Sequence, residues 1–528
     1  MASYKQPSSE IVNSSLKTAV KGTSILFLGM VASILLWFAT KVLIIRNTTK
    51  EELGIYSIIT AVAGVLSMLA CMGMQEGVPR YISIFLGEGK KSQAKSVART
   101  AIATGLITGT VFFLILAIFS GLIARYVFYK PELCMPLLII SFFIPLTVMV
   151  NTFVGILRGY NMVYPRVYFV EIGQPFFFLV LLIFFFIAGL PFISIIYAYT
   201  IAMLLVLLPV GAFYFKKIGL SERRVEPDNH SYGRELIKFS APLLMASIMG
   251  VVLTWCDTLM LGRYARSEEV GLYNISLSLA KLLTFSLGAL EFVYMPIAGE
   301  LYVKKQFSEL KRTYQILTKW NFLATLPIFF ILFFFPEMTI TFLFGNQFLD
   351  SSMSLRILSL CFLFHAFLGA NVMLMIVMGR SKDLMNISLF GALANILFNY
   401  VLIKLFNLGN IGASIATLIS YFLLNIVISL MLYRMSGIHP LTPQYIKPIV
   451  LSSIIGIALY AIAKSLPLFV WMLPIYLSLY LGGYFISLMV TKSFDLQDIE
   501  LFEIISQKTG FSMDTVRKIL YNSAHKRL

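Results

Sequence analysis

Three basic side chains stand inside long apolar runs of this chain: Lys41, Lys281 and Arg356. An ionised group in hydrocarbon is costly, so each must face a partner, a wet cavity or the nearest water. Lys281 is the sharpest case. It lies about ten residues into its run, too deep for its stem to carry the ammonium out, and Asn274 and Gly288 share its face. Two readings stay open for it, a cavity cation and half of a structural ion pair. Lys41, near the end of its run, can also snorkel outward, and Arg356 sits one turn into its run. Arg46, at a boundary, reads as an interface anchor. Fixed cations in a low-dielectric cavity suit an anionic ligand group. An amine-bearing ligand would call for carboxylates and aromatic faces instead.

The acids in apolar runs are Asp257 and Glu291, with Glu76 and Glu171 close to run ends. Glu291 lies two and a half turns past Lys281, a spacing that does not pair them. Asn395 and Asn399 are one turn apart on one face, and Thr417 closes the segment NIGASIAT. Amides and hydroxyls of this kind commonly hydrogen-bond between membrane helices. His365, set among Phe and Leu, reads as a satisfied core group before it reads as a proton relay. The run from Phe176 to Phe186 reads as lipid-facing packing.

Composition says what framework must place these residues. Of 528 residues, 59% are hydrophobic and 13% charged, against about 25% charged in a soluble domain. Apolar runs near 20 residues recur along the whole length, enough to cross a bilayer as helices. The expected fold is an all-α polytopic membrane protein, since a β-barrel would need short alternating segments. Fourteen transmembrane helices can be drawn, the first at 24–45 and the last at 467–490. The first run is too long for the apolar part of a signal peptide and reads as a retained span. The four cysteines, Cys71, Cys134, Cys256 and Cys361, form no CxxC, so neither a disulfide framework nor a zinc site is indicated.

The chain also repeats itself. Glu51-Glu52-Leu53-Gly54-Ile55-Tyr56 returns about 217 residues later as Glu268-Glu269-Val270-Gly271-Leu272-Tyr273, with Arg263 matching Arg46 and Pro296 matching Pro79. Self-similarity at a fixed period fixes architecture. The expected organisation is a six-helix lobe over 1–215, a polar linker over 216–238, a second six-helix lobe over 239–434, two additional helices within 435–490 and an amphipathic tail over 491–528. Six is even, so the lobes are parallel repeats. The net charge of +17 follows the positive-inside rule rather than pointing to nucleic acid. Of 42 Lys and Arg, 31 lie in one set of loops and 8 in the other. The richer set, with both termini, is assigned to the cytoplasm, which puts the charged hairpins 46–52 and 263–269 outside. The basic stretches 80–99 and 304–319 read either as short amphipathic helices on the inner leaflet or as solvated loops.

ELGIYSIITAVAGVLSMLACMGMQEGVPRYIS, followed by GEGKKSQAKSVART, resembles the opening of Wzx-type polysaccharide-biosynthesis flippases of the multidrug/oligosaccharidyl-lipid/polysaccharide (MOP) exporter superfamily. ILRGYNMVYPRVYFVEIGQP is similar to that family's RG-containing link between spans four and five. FSAPLLMASIMGVVLTWCDTLMLGRYARSEEVGLYNIS is similar to its seventh and eighth spans. The resemblance covers nearly the whole chain. It implies a V-shaped pair of six-helix bundles around a central cavity, working by alternating access on a lipid-linked sugar. Lys41, Lys281 and Arg356 would then be cavity cations for a polyprenyl phosphate or diphosphate. Asp257, Asn395, Asn399 and Thr417 resemble the sodium site of MurJ-type lipid flippases, which join an acid on span seven to Asn-xxx-Asp on span eleven and a Thr on span twelve. Asn399 departs from that pattern, standing where it has a second acid. Proton coupling through Asp257 or Glu291 is the other option.

The main alternative is a MATE-like exporter of organic cations coupled to sodium or protons, which predicts twelve spans and a carboxylate-dominated cavity. A membrane glycosyltransferase would need a catalytic extramembranous loop, and no GxxxxGK phosphate loop is present. The expectation is therefore a transporter rather than an enzyme, with no cofactor beyond a coupling ion. Its partners would be a lipid-linked oligosaccharide and membrane lipids, with no nucleic acid. It would sit in the cell membrane as a monomer, in company with glycan-assembly enzymes.

Overall fold

The computed structural model describes residues 29–219 and 250–490, apart from 163, 251, 253, 369, 441–442 and 466–471. Most of the expected linker and all of the expected amphipathic tail lie outside the described residues. Among the described residues every regular element is helical. In order they are α1 (Gly29–Arg46), α2 (Lys50–Cys71), α3 (Met74–Gly87), α4 (Lys91–Leu122), α5 (Cys134–Ser141), α6 (Phe143–Gly159), α7 (Gln174–Ile187) and α8 (Ile193–Tyr214). Then come α9 (254–264), α10 (Ser267–Ala280), α11 (Phe285–Val303), α12 (Phe307–Phe334), α13 (Pro336–Leu343), α14 (Ser352–Leu368) and α15 (Asn371–Val377). The last four are α16 (Ser381–Asn399), α17 (Gly409–Ser436), α18 (Pro443–Lys464) and α19 (Leu473–Val490). Eleven helical stretches among the described residues are long and apolar enough to cross a membrane, and α18 and α19 add shorter apolar helices.

Local chemistry sets the helix ends. Thr49 opens α2 with a capping box. Its hydroxyl accepts the Glu52 N–H at 3.2 Å, and Glu52 Oε2 accepts the Thr49 N–H at 2.9 Å. The basic stretches 80–99 and 304–319 form no helices of their own. The first is the end of α3 and the start of α4, turned at Gly89 (φ +75°), and the second runs from α11 into α12 through Lys305 (φ +57°). A left-handed residue at each point reverses the chain tightly, which leaves no length for a separate interfacial helix.

Three apolar cores hold the helices together. The largest joins the first lobe, from Ile44 to Ile218, to one end of the second lobe, Leu261 to Leu283 together with Phe348 to Phe362. The other end of the second lobe has its own core, from Leu287 and Tyr294 to Leu432. The third core docks α18 and α19 onto α12: Phe330 stacks on Tyr480 at 3.8 Å, and Tyr484 donates to Leu323 O at 2.7 Å. The lobes are thus fused at the end that carries the hairpins 46–52 and 263–269, and they keep separate cores at the other.

At the fused end α2 and α10 touch backbone to backbone. A Cβ on Gly54 would sit 1.7 Å from Ser267 O, and one on Gly271 would sit 2.4 Å from Lys50 O. Gly271 lies 217 residues after Gly54, as Ser267 does after Lys50, so each glycine admits the other helix's first turn. Gly54→Val or Gly271→Val must push this seam apart, since the clash is with main chain. The expected cost is about 1–3 kcal/mol, read as a lower melting temperature of the detergent-solubilised protein.

Candidate functional site

Asp257, from α9, is 4% exposed and is the hub of a buried polar cluster. Its Oδ1 accepts from Asn395 Nδ2 at 3.0 Å and from Asn399 Nδ2 at 2.6 Å, both on α16. Its Oδ2 accepts from Tyr273 on α10 at 2.6 Å and lies 2.8 Å from Thr417 Oγ1 on α17. The fold therefore brings Asp257, Asn395, Asn399 and Thr417 together, and adds Tyr273. That tyrosine stood in the sequence as part of the repeat rather than as a polar partner. The signal that could have found it is its first-half match, Tyr56, which meets Tyr199 edge-on rather than an acid. Where the second lobe has Asp257, the first has Thr40, which donates to its own helix at Leu36 O.

The residues around Asp257 carry the oxygen atoms that a small monovalent cation would need. Asn399 Oδ1 is buried with no hydrogen-bond partner, and a buried acceptor left so calls for a donor or a cation. Thr417 Oγ1 also lies 2.9 Å from Ala413 O, so its proton can go there while its lone pairs face Asp257. Asn399 Nδ2 is likewise within reach of Asn395 O at 2.9 Å. Amide orientation is a choice made by the hydrogen-bond network. As placed, both amides give their N–H to Asp257; turned, they would complete with the carboxylate and the hydroxyl the oxygen-rich set such an ion needs, and the unpartnered Asn399 position would pass to its Nδ2.

Lys281 stands where the eighth apolar run is interrupted. α10 ends at Ala280, Lys281–Thr284 form a 3-10 turn, and α11 starts at Phe285. Thr325 Oγ1 on α12 lies 3.3 Å from Leu283 O in this turn and 2.8 Å from Asn321 O of its own helix. A 3-10 turn inside a helix marks a weak point in the rod. Lys281 is exposed although it belongs to a membrane-length stretch, and Lys41 is half-buried on α1. The two ammonium groups repel one another, and Lys281 also feels the Asp257 charge. Neither lysine has a salt-bridge partner among the described residues. Gly64, which matches Lys281 in the first lobe, faces the Trp255 ring at 3.4 Å from its would-be Cβ.

The remaining candidates lie elsewhere. Arg356 pairs with Glu337 at 2.9 Å and donates to Phe333 O at 3.3 Å, clamping the corner between α12, α13 and α14. Glu291 is on α11, with its side chain outside the described residues. Glu76 pairs with Arg158 and Glu171 with Arg166. His365 Nδ1 lies 3.0 Å from Asn425 Oδ1, a satisfied core contact. Arg46 donates to Leu343 O at 2.7 Å and Phe342 O at 2.6 Å, so it bridges the lobes as well as standing at a boundary. Lys130 also bridges, donating to Ala265 O at 2.7 Å and to Gly262 O. Burial holds its ammonium below the usual lysine range; Glu132 offsets part of that and Arg263 adds to it.

Asp257→Ala would strand several buried donors at once, whereas Asp257→Asn keeps an acceptor and the shape. The first is expected to cost about 1–3 kcal/mol more than the second, measured by thermal unfolding in detergent. Tyr273→Phe should cost about 0.6 kcal/mol, the usual worth of one such contact between membrane helices.

The polysaccharide biosynthesis protein family matches residues 19–301, and the MatE family matches residues 242–401. An uncharacterised membrane protein of Methanocaldococcus jannaschii is 24% identical over 427 residues, 77% of this chain and 82% of that protein. The probable low-salt glycan biosynthesis flippase Agl15 of Haloferax volcanii is 22% identical over 243 residues, 44% of this chain and 48% of that one. Among solved structures, the lipid II flippase MurJ in an inward closed conformation has a TM-score of 0.68 at 14% identity, over 90% of this chain and 98% of its own. An inward-facing MATE family multidrug transporter of the MOP superfamily has a TM-score of 0.65 at 17% identity, over 79% and 98%. These similarities show a shared fold, and the first family match spans more than half of the 528 residues. The chain belongs to the polysaccharide biosynthesis protein family.

Proposed function

We propose that the chain is a flippase that moves a polyprenyl-(di)phosphate-linked oligosaccharide from the inner to the outer leaflet by alternating access. The observation that carries this reading is the pair Lys41 and Lys281, two lysines of membrane-length helical stretches that have no salt bridge among the described residues. Two like charges are kept together in a membrane protein only against a cost, and an anionic phosphate between them removes it. An organic cation would be repelled at the same point, which disfavours the exporter alternative. The glycan-flippase description of the Haloferax volcanii relative agrees with the reading.

The working architecture is fourteen spans arranged as six, six and two, with lobes at 1–215 and 239–434. The reciprocal approach of Gly54 to Ser267 and of Gly271 to Lys50 supports parallel repeats. The Lys and Arg distribution puts both termini in the cytoplasm and the hairpin end outside. With the lobes fused outside and separately cored inside, the cavity opens toward the cytoplasm, where substrate is loaded. Asp257, Asn395, Asn399 and Thr417 would hold sodium, which supplies a charge that links its own gradient to the movement of the second lobe. If protons drive the cycle instead, Asp257 carries them.

Translocation of lipid-linked oligosaccharides in proteoliposomes tests the reading. Lys281→Ala is expected to lower transport roughly ten- to a hundredfold, the worth of one charge-assisted contact, with the melting temperature unchanged. Full transport by that variant would remove the lysine from the mechanism. A sodium gradient imposed at constant pH should accelerate wild-type transport and leave Asp257→Asn unaffected, while dependence on pH alone would assign the coupling to protons.

A further inference from the structure

The seam at the hairpin end is built twice, and the copies differ. Lys130 and Gln347 stand 217 residues apart and do the same work. Lys130 donates to Ala265 O at 2.7 Å, and Gln347 donates to Thr48 O at 3.3 Å. Ala265 and Thr48 are also 217 apart, so a neutral amide suffices for this contact. The second-lobe copy nonetheless carries extra charge and extra aromatic rings. A pocket of about 760 Å³ opens there between residues 128–130, 263–269 and 407–411.

Arg266 lines this pocket and is exposed. Its counterpart is Thr49, the residue that caps α2. Arginine offers no acceptor, and α10 has no side-chain cap. Glu269, freed from the capping role that Glu52 plays, reaches across and accepts the Asn410 N–H at 2.8 Å. The one carboxylate in the lining is thus engaged by backbone, and Lys130, Arg263 and Arg266 outnumber it, so the pocket is net basic. Tyr129 and Tyr264 replace Asn346 and Asn47 of the other copy. The Arg263 guanidinium lies 3.9 Å over the Tyr129 ring, and beside the pocket, outside its lining, Lys404 donates to the Tyr400 hydroxyl at 3.0 Å and lies 5.5 Å from the Tyr264 ring. Matching the left-handed residues Gly189 and Asn407 sets Lys404 against Phe186. A helix cap has been given up for Arg266, and tyrosines stand where the other copy has asparagines, although the symmetric seam needs neither change.

We propose that this pocket binds an acidic sugar of the transported glycan, a uronic acid or a phosphate-bearing unit, as it leaves the cavity. The proposal rests on the reading of the chain as a glycan flippase with its hairpin end outside. Guanidinium and ammonium groups recognise the carboxylate or phosphate, and arginine can do so in a two-pronged fashion. The tyrosine rings offer apolar faces to the C–H side of a pyranose while their hydroxyls stay wet. Pockets of this size accept ligands of a few sugar units. An anionic lipid headgroup shares the charge but brings no ring for the tyrosines.

The test is calorimetric titration of the full chain in nanodiscs of zwitterionic lipid. The probes are a soluble uronic-acid oligomer, a neutral oligosaccharide of equal length and a short-chain phosphatidylglycerol. The acidic oligomer is expected to bind at least about tenfold more tightly than the neutral one. Arg266→Thr with Lys404→Phe, which writes the first copy's residues into the second, should weaken it by about tenfold or more. Arg266→Lys should retain most of the binding. Equal affinity for the acidic and neutral sugars in the wild type overturns the proposal without any variant, as does unchanged binding by the double variant. Preference for phosphatidylglycerol over the acidic sugar overturns the saccharide assignment. Binding is read here without transport: an acidic sugar that binds a chain unable to flip lipid-linked glycans would leave the pocket standing and sink the flippase reading.

Discussion

The contact between α2 and α10 is the constraint on which the rest of the molecule depends. Two helices can bring their main chains this close only where side chains are absent, and Gly54 and Gly271 supply that absence on both sides. In hydrocarbon there is little hydrophobic drive between helices, so close packing and polar contacts must hold them. The seam uses both. The glycines set the distance, and Arg46, Lys130 and Gln347 then reach carbonyls of the opposite lobe. These carbonyls lie at helix ends, where backbone acceptors lack partners of their own. With the seam formed at one end, the second lobe's core divides: one part joins the first lobe, and the part built on Leu287, Tyr294 and Leu432 packs by itself.

Within that frame the ionised groups are treated in opposite ways. Asp257 is enclosed by amides and hydroxyls from α10, α16 and α17, so that three helices are tied to one carboxylate. Arg356 is neutralised by Glu337 at a corner of the fold. Lys41 and Lys281 receive no such partner among the described residues. A fold that satisfies a buried acid with four neighbours leaves these two lysines without a salt bridge among the described residues. The flippase reading follows from that difference in treatment more than from the presence of charge.

The repeat acts as an internal control. Positions that serve the seam are filled alike in both lobes, as with Gly54 and Gly271, or by groups of equivalent capacity, as with Lys130 and Gln347. Positions that differ stand where chemistry is proposed: Asp257 against Thr40, Lys281 against Gly64 and Arg266 against Thr49. The exchange of Thr49 for Arg266 shows the physical link most directly: the cap is lost, Glu269 accepts from Asn410 instead, and the arginine adds a positive charge to the pocket.

Much was legible in the sequence by itself. Apolar runs of bilayer length dictate helices, because an unsatisfied backbone cannot exist in lipid. The return of Glu-Glu-x-Gly-x-Tyr fixes a repeat, and Asp257, Asn395, Asn399 and Thr417 could be grouped through a family resemblance. The tertiary structure decided what periodicity cannot carry, namely which helices face each other. It brought Tyr273 to Asp257, since two residues 16 apart share a site only once α9 and α10 fold back on one another. It sent Arg356 to Glu337, because that pairing depends on the turn between α12 and α13. It folded the basic stretches 80–99 and 304–319 into the ends of long helices through single left-handed residues, which hydropathy does not register. The sequence determined the elements because burial in lipid acts on each run separately. The structure alone decided the pairing of charges, because that depends on distances between runs far apart in the chain.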